Sequence, residues 1–260
     1  MLIDSHCHLD YVLEDGDLGS IAEIISHAKE HDVSHMLSIA VNSENIPKVI
    51  AIAENHANVF ASVGIHPNDM PDHKIDTNKL LQLADYEKVI AFGETGLDYF
   101  RSEGGAIADQ KQSFIAHINA AKEAKKPLVI HSRDAFDDTF KILKEHKAED
   151  AGGIIHCFTG GMEDAKRAID LGFYISFSGI VTFKNAAEIQ AVAAAIPIEH
   201  ILVETDSPYL APVPFRGKKN YPGYTQHVAK HIATLRGVSY EEIAAATTAN
   251  FCNLFTTVQV

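Results

Sequence analysis

Eight short β-prone apolar runs alternate along this chain with stretches whose apolar residues step by three and four, and this alternation restricts the fold more than any other feature. The runs fall at residues 2–3, 34–41, 59–65, 89–93, 128–130, 153–155, 173–177 and 201–203. The helical spacings fall at 18–31, 44–55, 77–84, 108–125, 135–146, 162–171, 186–195 and 226–236, the first with Ile21, Ile24, Ile25 and Ala28 on one face. Strands alternating with helices specify βαβ units and a parallel sheet. Eight such units in 260 residues match the size of one (β/α)8 barrel. The expected class is therefore α/β, a single TIM barrel over residues 1–260, with one extra C-terminal helix at 239–255. A doubly wound sheet is the runner-up. Against it, no G-x-G-x-x-G follows the first run, and no Pro-, Gly- or Ser-rich linker divides the chain. The one proline-rich patch, 208–222, follows the last strand and reads as a long functional loop.

Charge and composition bound the function. No stretch approaches the roughly 18 consecutive apolar residues of a membrane span, and the N-terminal residues are acidic and histidine-bearing, not a basic leader, so a cytoplasmic protein with no membrane partner is expected. Three cysteines without a C-x-x-C support neither a disulfide framework nor a thiolate zinc knuckle. A net charge of −13 argues against a surface that coats nucleic acid, so any phosphate binding must be local.

In a barrel the active site lies at the C-terminal ends of the strands. The first strand ends in His6-Cys7-His8, and alternation along an extended chain puts both imidazoles on one face. The third strand is followed by His66, the fourth by Glu94, the fifth by His131 and Arg133, the sixth by His156, and the eighth by Glu204 and Asp206. A single loop aspartate most often caps a turn. Four histidines and two carboxylates meeting at one barrel mouth are different, because that desolvated cluster is costly unless metal ions occupy it.

The segments DSHCHLD, GIHP, GETGLDYF, HSRDA, HCFTG, SFSGI and ETDSPYLAP, in this order, resemble the TatD family of metal-dependent hydrolases, among the amidohydrolase-like barrels. The resemblance runs from residue 1 to 255. VTFKNA and the loop at 216–220 are similar to a bacterial branch of the family described as deoxyribonucleases. The resemblance implies two divalent metal ions. One would be held by His6, His8, Glu94 and Asp206, the other by Glu94, His131 and His156, with Glu94 bridging. Two ions ~3.5–4 Å apart can activate a shared water and stabilise charge on the attacking and leaving oxygens. Four imidazoles favour zinc or another transition metal in the purified protein, while the family's nuclease activity implies magnesium or manganese for turnover.

Asp206 would serve both as ligand and as proton acceptor from the attacking water. Glu204, two residues earlier on the same face, would orient a ligand histidine. His66 lies outside the implied ligand set and is assigned to phosphate contact or leaving-group protonation. Arg133 would clamp a phosphate. The basic loop with Arg216, Lys218 and Lys219, flanked by Tyr209, Tyr221 and Tyr224, would hold a polyanion through cations and stacking rings. Cys7 and Cys157 should point towards the helices, and His227 with His231 lacks the glutamate of H-E-x-x-H and reads as surface polarity. The expected function is a 3′-to-5′ deoxyribonuclease acting on single-stranded DNA ends or nucleotide fragments, without an obligate protein partner. The alternatives are a barrel hydrolase of acyl or phosphotriester bonds, such as a lactonase or deacylase, and a non-catalytic metal-binding protein.

Overall fold

The eight strands of the computed structural model, which describes residues 1–69, 76–102 and 104–258, pair in the order of the sequence. They are β1 (Leu2–Cys7), β2 (Val33–Ser38), β3 (Val59–Val63), β4 (Val89–Asp98), β5 (Leu128–Arg133), β6 (Gly153–Ile155), β7 (Tyr174–Phe177) and β8 (Ile201–Val203). Each pairing from β1–β2 to β7–β8 is parallel. Between β8 and β1 the sheet closes through a seam of individual bonds. The Asp206 N–H donates to the His6 carbonyl at 2.9 Å and the His8 N–H to the Ser207 carbonyl at 2.8 Å. The Asp4 carboxyl takes the Thr205 N–H at 3.0 Å and pairs with its hydroxyl at 2.5 Å. Burial pushes the Asp4 carboxyl up to about 8, although the Thr205 bonds favour its ionised form.

The helices are α1 (Leu9–Asp15), α2 (Ile21–Glu30), α3 (Ile46–Asn55), α4 (Thr77–Ala84), α5 (Gly105–Ala124), α6 (Phe136–Glu145), α7 (Met162–Asp170), α8 (Ala187–Ala195), α9 (Thr225–Arg236) and α10 (Tyr240–Leu254). Three start at side-chain caps, where Ser20, Asp76 and Ser239 accept N–H groups that the first turn leaves unpaired. Their apolar faces bury the outward side chains of the strands, as Ile24, Val49 and Phe114 do in one cluster with Leu2, Met36 and Phe92. Inside the barrel a separate apolar layer of Ile3, Leu37, Ile90, Val129, Ile154 and Leu202 receives Phe251 and Phe255. The helix expected as an addition at the C-terminal side of the chain is thus the plug of the barrel floor. Among the described residues no helix is long and apolar enough to cross a membrane.

Two elements depart from expectation in ways that shape the site. The short helix α1 has no side-chain cap, and only Leu9, Asp10 and Val12 of it are buried, too short a pattern to announce a helix. Strand β4 continues past the apolar run at 89–93 to Asp98 with all ten residues buried, and after a register shift between Phe92 and Thr95 it pairs with β5 as far as Asp98 opposite Arg133. Gly-Glu-Thr-Gly lacks the apolar pattern of a strand, yet the glycines serve packing. A Cβ on Gly64 would stand 2.5 Å from the Gly93 carbonyl carbon, so a glycine just past β3 lets it approach β4 this closely, while a Cβ on Gly93 would stand 2.5 Å from the Val129 carbonyl oxygen of β5. The Glu94 N–H then reaches the Ala40 carbonyl at 2.9 Å, which places Glu94 inside the barrel.

Candidate metal centre

Glu94 stands at the middle of the mouth with its two oxygens facing two groups of ring nitrogens. Oε2 lies 3.4 Å from His6 Nε2 and 4.0 Å from His8 Nε2. Asp206 Oδ1 completes that group, 3.5 Å from His6 Nε2 and 3.3 Å from His8 Nε2. Oε1 lies 2.8 Å from His156 Nε2 and 3.0 Å from His131 Nδ1. His66 joins this second group, with Nε2 at 3.5 Å from Glu94 Oε1 and 3.4 Å from His131 Nδ1. Three overlapping sets, His6–His156–Asp206, His6–His8–Glu94 and His66–Glu94–His131, each have ligand atoms within 4.8 Å of one another. Without cations the carboxylates draw the His8, His131 and His156 rings towards protonation, against the cost of burying that charge. Divalent cations relieve that conflict, and the donor set of imidazole and carboxylate suits them.

The partners of the opposite ring nitrogens distinguish His66 from His8, His131 and His156, while His6 Nδ1 has no hydrogen-bond partner among the described residues. His8 Nδ1 donates to the Ile39 carbonyl at 3.3 Å, and His156 Nδ1 donates to Glu204 Oε1 at 3.3 Å, which leaves each Nε2 lone pair aimed at the centre. His131 is turned over, donating Nε2–H to Asp98 Oδ2 at 3.2 Å and presenting Nδ1 inward. In His66 the order is reversed. Its Nδ1 accepts the Asn68 N–H at 3.0 Å, so the neutral ring carries its proton on Nε2 and points a donor, not a lone pair, at the site.

Electrostatics hold the carboxylates ionised. The Glu94 carboxyl is buried, which opposes its charge, but His156, His66 and His6 around it draw it well below the usual carboxylate range. Asp206 follows the same logic, with burial outweighed by the His8 bond and the charges of His6 and His156. His66 is lowered to about 4, chiefly by burial, and is neutral at pH 7.

Two residues important to this geometry carried no role in the sequence reading. Asp98 bonds His131 and also accepts from the Asn68 side chain at 2.8 Å, tying the β3 loop to β5. Its only sequence signal was its place at the end of GETGLD. His117, in the middle of α5, accepts the Ile65 N–H at Nε2 and donates Nδ1–H to the Ser113 carbonyl, which anchors the backbone next to His66. Nothing in its helical context distinguishes it from a surface histidine.

The predicted substrate contacts divide. Arg133 ends β5 and lies over the Phe100 ring at 3.9 Å, and Arg216 lies over Phe183 at 4.2 Å, both at the mouth. Lys218 is exposed, whereas Lys219 is held by Asp17 at 2.8 Å. Of the three loop tyrosines only Tyr209 is exposed. Tyr224 stacks on Phe215 at 4.2 Å, and Tyr221 packs with it against His27 of α2, because the loop folds back onto that helix. His227 belongs to the same cluster, half-buried beside Phe215, and is not surface polarity. Cys7 packs outward with Leu2 and Leu9, while Cys157 lies against Ser178 at 3.2 Å, its thiol pushed well up by burial.

Comparison with known proteins gives concordant matches. The family model described as TatD related DNase matches residues 3–256. YcfH of Escherichia coli K12, named as an uncharacterized metal-dependent hydrolase, is 44% identical over 254 residues, covering 98% of this chain and 95% of its own. YabD of Bacillus subtilis, likewise named, is 42% identical over 256 residues, covering 98% and 99%. The crystal structure of YjjV, a TatD homolog from Escherichia coli K12, superposes with a TM-score of 0.89 at 30% identity over 98% of both chains.

Proposed function

Because the chain belongs to the TatD-related DNase family of metal-dependent hydrolases, we propose that it is a two-metal phosphodiesterase that removes nucleotides from the 3′ ends of single-stranded DNA. The observation that carries this reading is the division of Glu94, one oxygen towards His6 and His8 and the other towards His131 and His156. His6, His8, Glu94 and Asp206 would hold one ion, and Glu94, His131 and His156 the second. Such ions supply Lewis acidity that lowers the pKa of water and neutralises charge on a phosphodiester. An imidazole-rich set favours zinc or another transition metal in the purified protein, with magnesium or manganese supporting turnover.

The protein's own groups then have defined tasks. Asp206, kept ionised in its buried position, accepts the proton of the attacking water. His66 offers its Nε2–H to a phosphate or leaving oxygen, and its neutrality at pH 7 makes it a hydrogen-bond donor instead of a competing cation. Glu204, Asp98 and the Ile39 carbonyl fix the ligand rings, so their lone pairs are aimed before substrate arrives. Arg133 and Arg216 stand where a phosphate chain would leave the centre.

Glu94→Ala and Asp206→Asn should each lower release of nucleotides from a 5′-labelled single-stranded oligonucleotide by about a thousandfold or more. The same preparations are tested on lactones, amides and phosphotriesters. Undiminished phosphodiester hydrolysis in these variants, or turnover of acyl substrates alone by the unaltered protein, overturns the reading.

A further inference from the structure

Large apolar side chains exposed to water are few. Among the described residues they are Met1, Tyr86, Phe100, Tyr209 and Val213, and three of these, Phe100, Tyr209 and Val213, lie on loops at the C-terminal end of the barrel. Phe100 is 61% exposed, yet it is not on a slack loop. The N–H groups of Phe100 and Arg101 both donate to Asp98 Oδ1, at 3.0 and 3.2 Å, and the other oxygen of Asp98 bonds His131. The ring is therefore presented by a turn anchored to a residue of the metal centre itself. The Arg133 guanidinium covers one face of it at 3.9 Å. The arrangement recurs beyond β6, where Arg216 of the β8–α9 loop lies 4.2 Å from the ring of Phe183 in the β7–α8 loop.

Both signs of charge stand around the same mouth, and the arginines among them are grouped with the rings. On the β4–β8 arc stand Arg101, Arg133, Lys184 and Arg216, and among the described residues none of the four forms an ion pair, while the same arc also exposes Asp134, Glu163 and Glu188. On the opposite arc, α1 and the loops after β1 and β3 carry Asp10, Glu14, Asp15, Asp17 and Asp69, and the lysines that reach them, Lys48 and Lys219, are neutralised by Glu14 and Asp17. In a chain of net charge −13, arginines that form no ion pair among the described residues, set beside the exposed ring of Phe100 and the half-buried ring of Phe183, are a local feature of this arc.

We propose that Phe100 with Arg133 and Phe183 with Arg216 are two nucleotide subsites for single-stranded polynucleotide, set on the β4–β8 arc to either side of His156. The assignment rests on the phosphodiesterase reading above and adds the path of the strand. Each guanidinium offers donors to a phosphate while its ring offers a face to a base, and stacking accepts any base because all have a π-face. The polyanion lies along the line of these two arginines and rings.

The test compares the metal-loaded protein with Phe100→Ala, Phe183→Ala and Phe100→Tyr, and with Tyr86→Ala, an exposed ring at the far end of the barrel, as control. The readout is the ratio of kcat/KM on an oligothymidylate of about ten nucleotides to that on bis(p-nitrophenyl) phosphate, a diester without bases. Each alanine variant should lower this ratio by about tenfold, whereas Phe100→Tyr and Tyr86→Ala should preserve it. An unchanged ratio in both alanine variants overturns the subsites. Should the unaltered protein cleave neither diester, the phosphodiesterase reading fails by itself. Anisotropy of a fluorescein-labelled, phosphorothioate-linked oligothymidylate then decides the subsites: about tenfold weaker binding in Phe100→Ala and Phe183→Ala upholds them, and equal binding overturns them.

Discussion

Glu204 Oε1 lies 3.3 Å from His156 Nδ1 and accepts the Cys157 N–H at 2.8 Å, so one fully buried carboxylate holds both a ligand ring and the backbone that follows it. Glu204→Ala should weaken binding at the Glu94–His131–His156 site by roughly 10- to 100-fold, while Glu204→Gln, which keeps an acceptor oxygen, loses less. Metal content after dialysis against graded chelator concentrations checks this. Equal occupancy in the alanine variant and the unaltered protein would leave Glu204 without a positioning role.

Replacing His6 and His8 together by alanine should reduce bound metal from about two ions per chain to about one. The second group has its own nitrogens and Glu94 Oε1, and Asp98 and Glu204 hold its rings independently of β1. Elemental analysis decides the matter, and full retention of both ions would show that the division of ligands between the two oxygens of Glu94 is wrong.

Stability should fall with acid through His117. Burial lowers its pKa to about 4 from the ordinary 6.5, and protonation would set Nε2–H against the Ile65 N–H that it now accepts. The unfolded chain therefore binds the extra proton between these values. The stabilisation is complete above pH 6.5, declines as pH falls towards 4, and levels off below, with a span of roughly 3 kcal/mol. Urea denaturation at successive pH values should show a shallower acid slope for His117→Gln, and identical slopes would exclude this histidine as a source.

Lys219 and Arg133 should part company in kinetics. Lys219 is exposed and occupied by Asp17, so Lys219→Ala should leave the oligonucleotide KM within about twofold. Arg133→Ala removes both a guanidinium at the end of β5 and the cover of Phe100, and should raise KM by about tenfold. Comparable effects of the two substitutions would contradict the assignment of Arg133 to the path of the strand.

Gly96 faces the neighbouring strand with φ +137°, and a Cβ there would press into the His131 carbonyl. Gly96→Ala should cost more than ~2 kcal/mol in urea unfolding and shed metal, because Gly96 opposite His131 sets the register between β4 and β5. A fully stable, metal-replete variant would disprove that coupling.

The order of strands, the barrel class and the clustering of His6, His8, Glu94, His131, His156 and Asp206 were legible because each lies at or just past the end of an apolar run. Orientation was not legible. That His131 presents Nδ1 while His156 presents Nε2 depends on Asp98 and Glu204, whose partners are set by packing between strands and not by spacing along one. The same limit explains the tyrosines. Composition placed Tyr221 and Tyr224 on a basic loop, but only the fold reveals that they are spent on Phe215 and His27. Phe100 and Phe183, which stand free or half-free at the mouth, read in the sequence as ordinary apolar residues.

The seam between β1 and β8 gives the centre a calendar. Asp4 and Thr205 are 201 positions apart, and the bonds between them bring Asp206 to His6 and His8. A chain emerging from the ribosome holds Glu94, His131 and His156 once β6 has left the exit tunnel, yet it lacks Asp206 until β8 follows. Such distant pairing forms late and slowly compared with local contacts. The full set of candidate ligands therefore comes together only when the last strand pair closes.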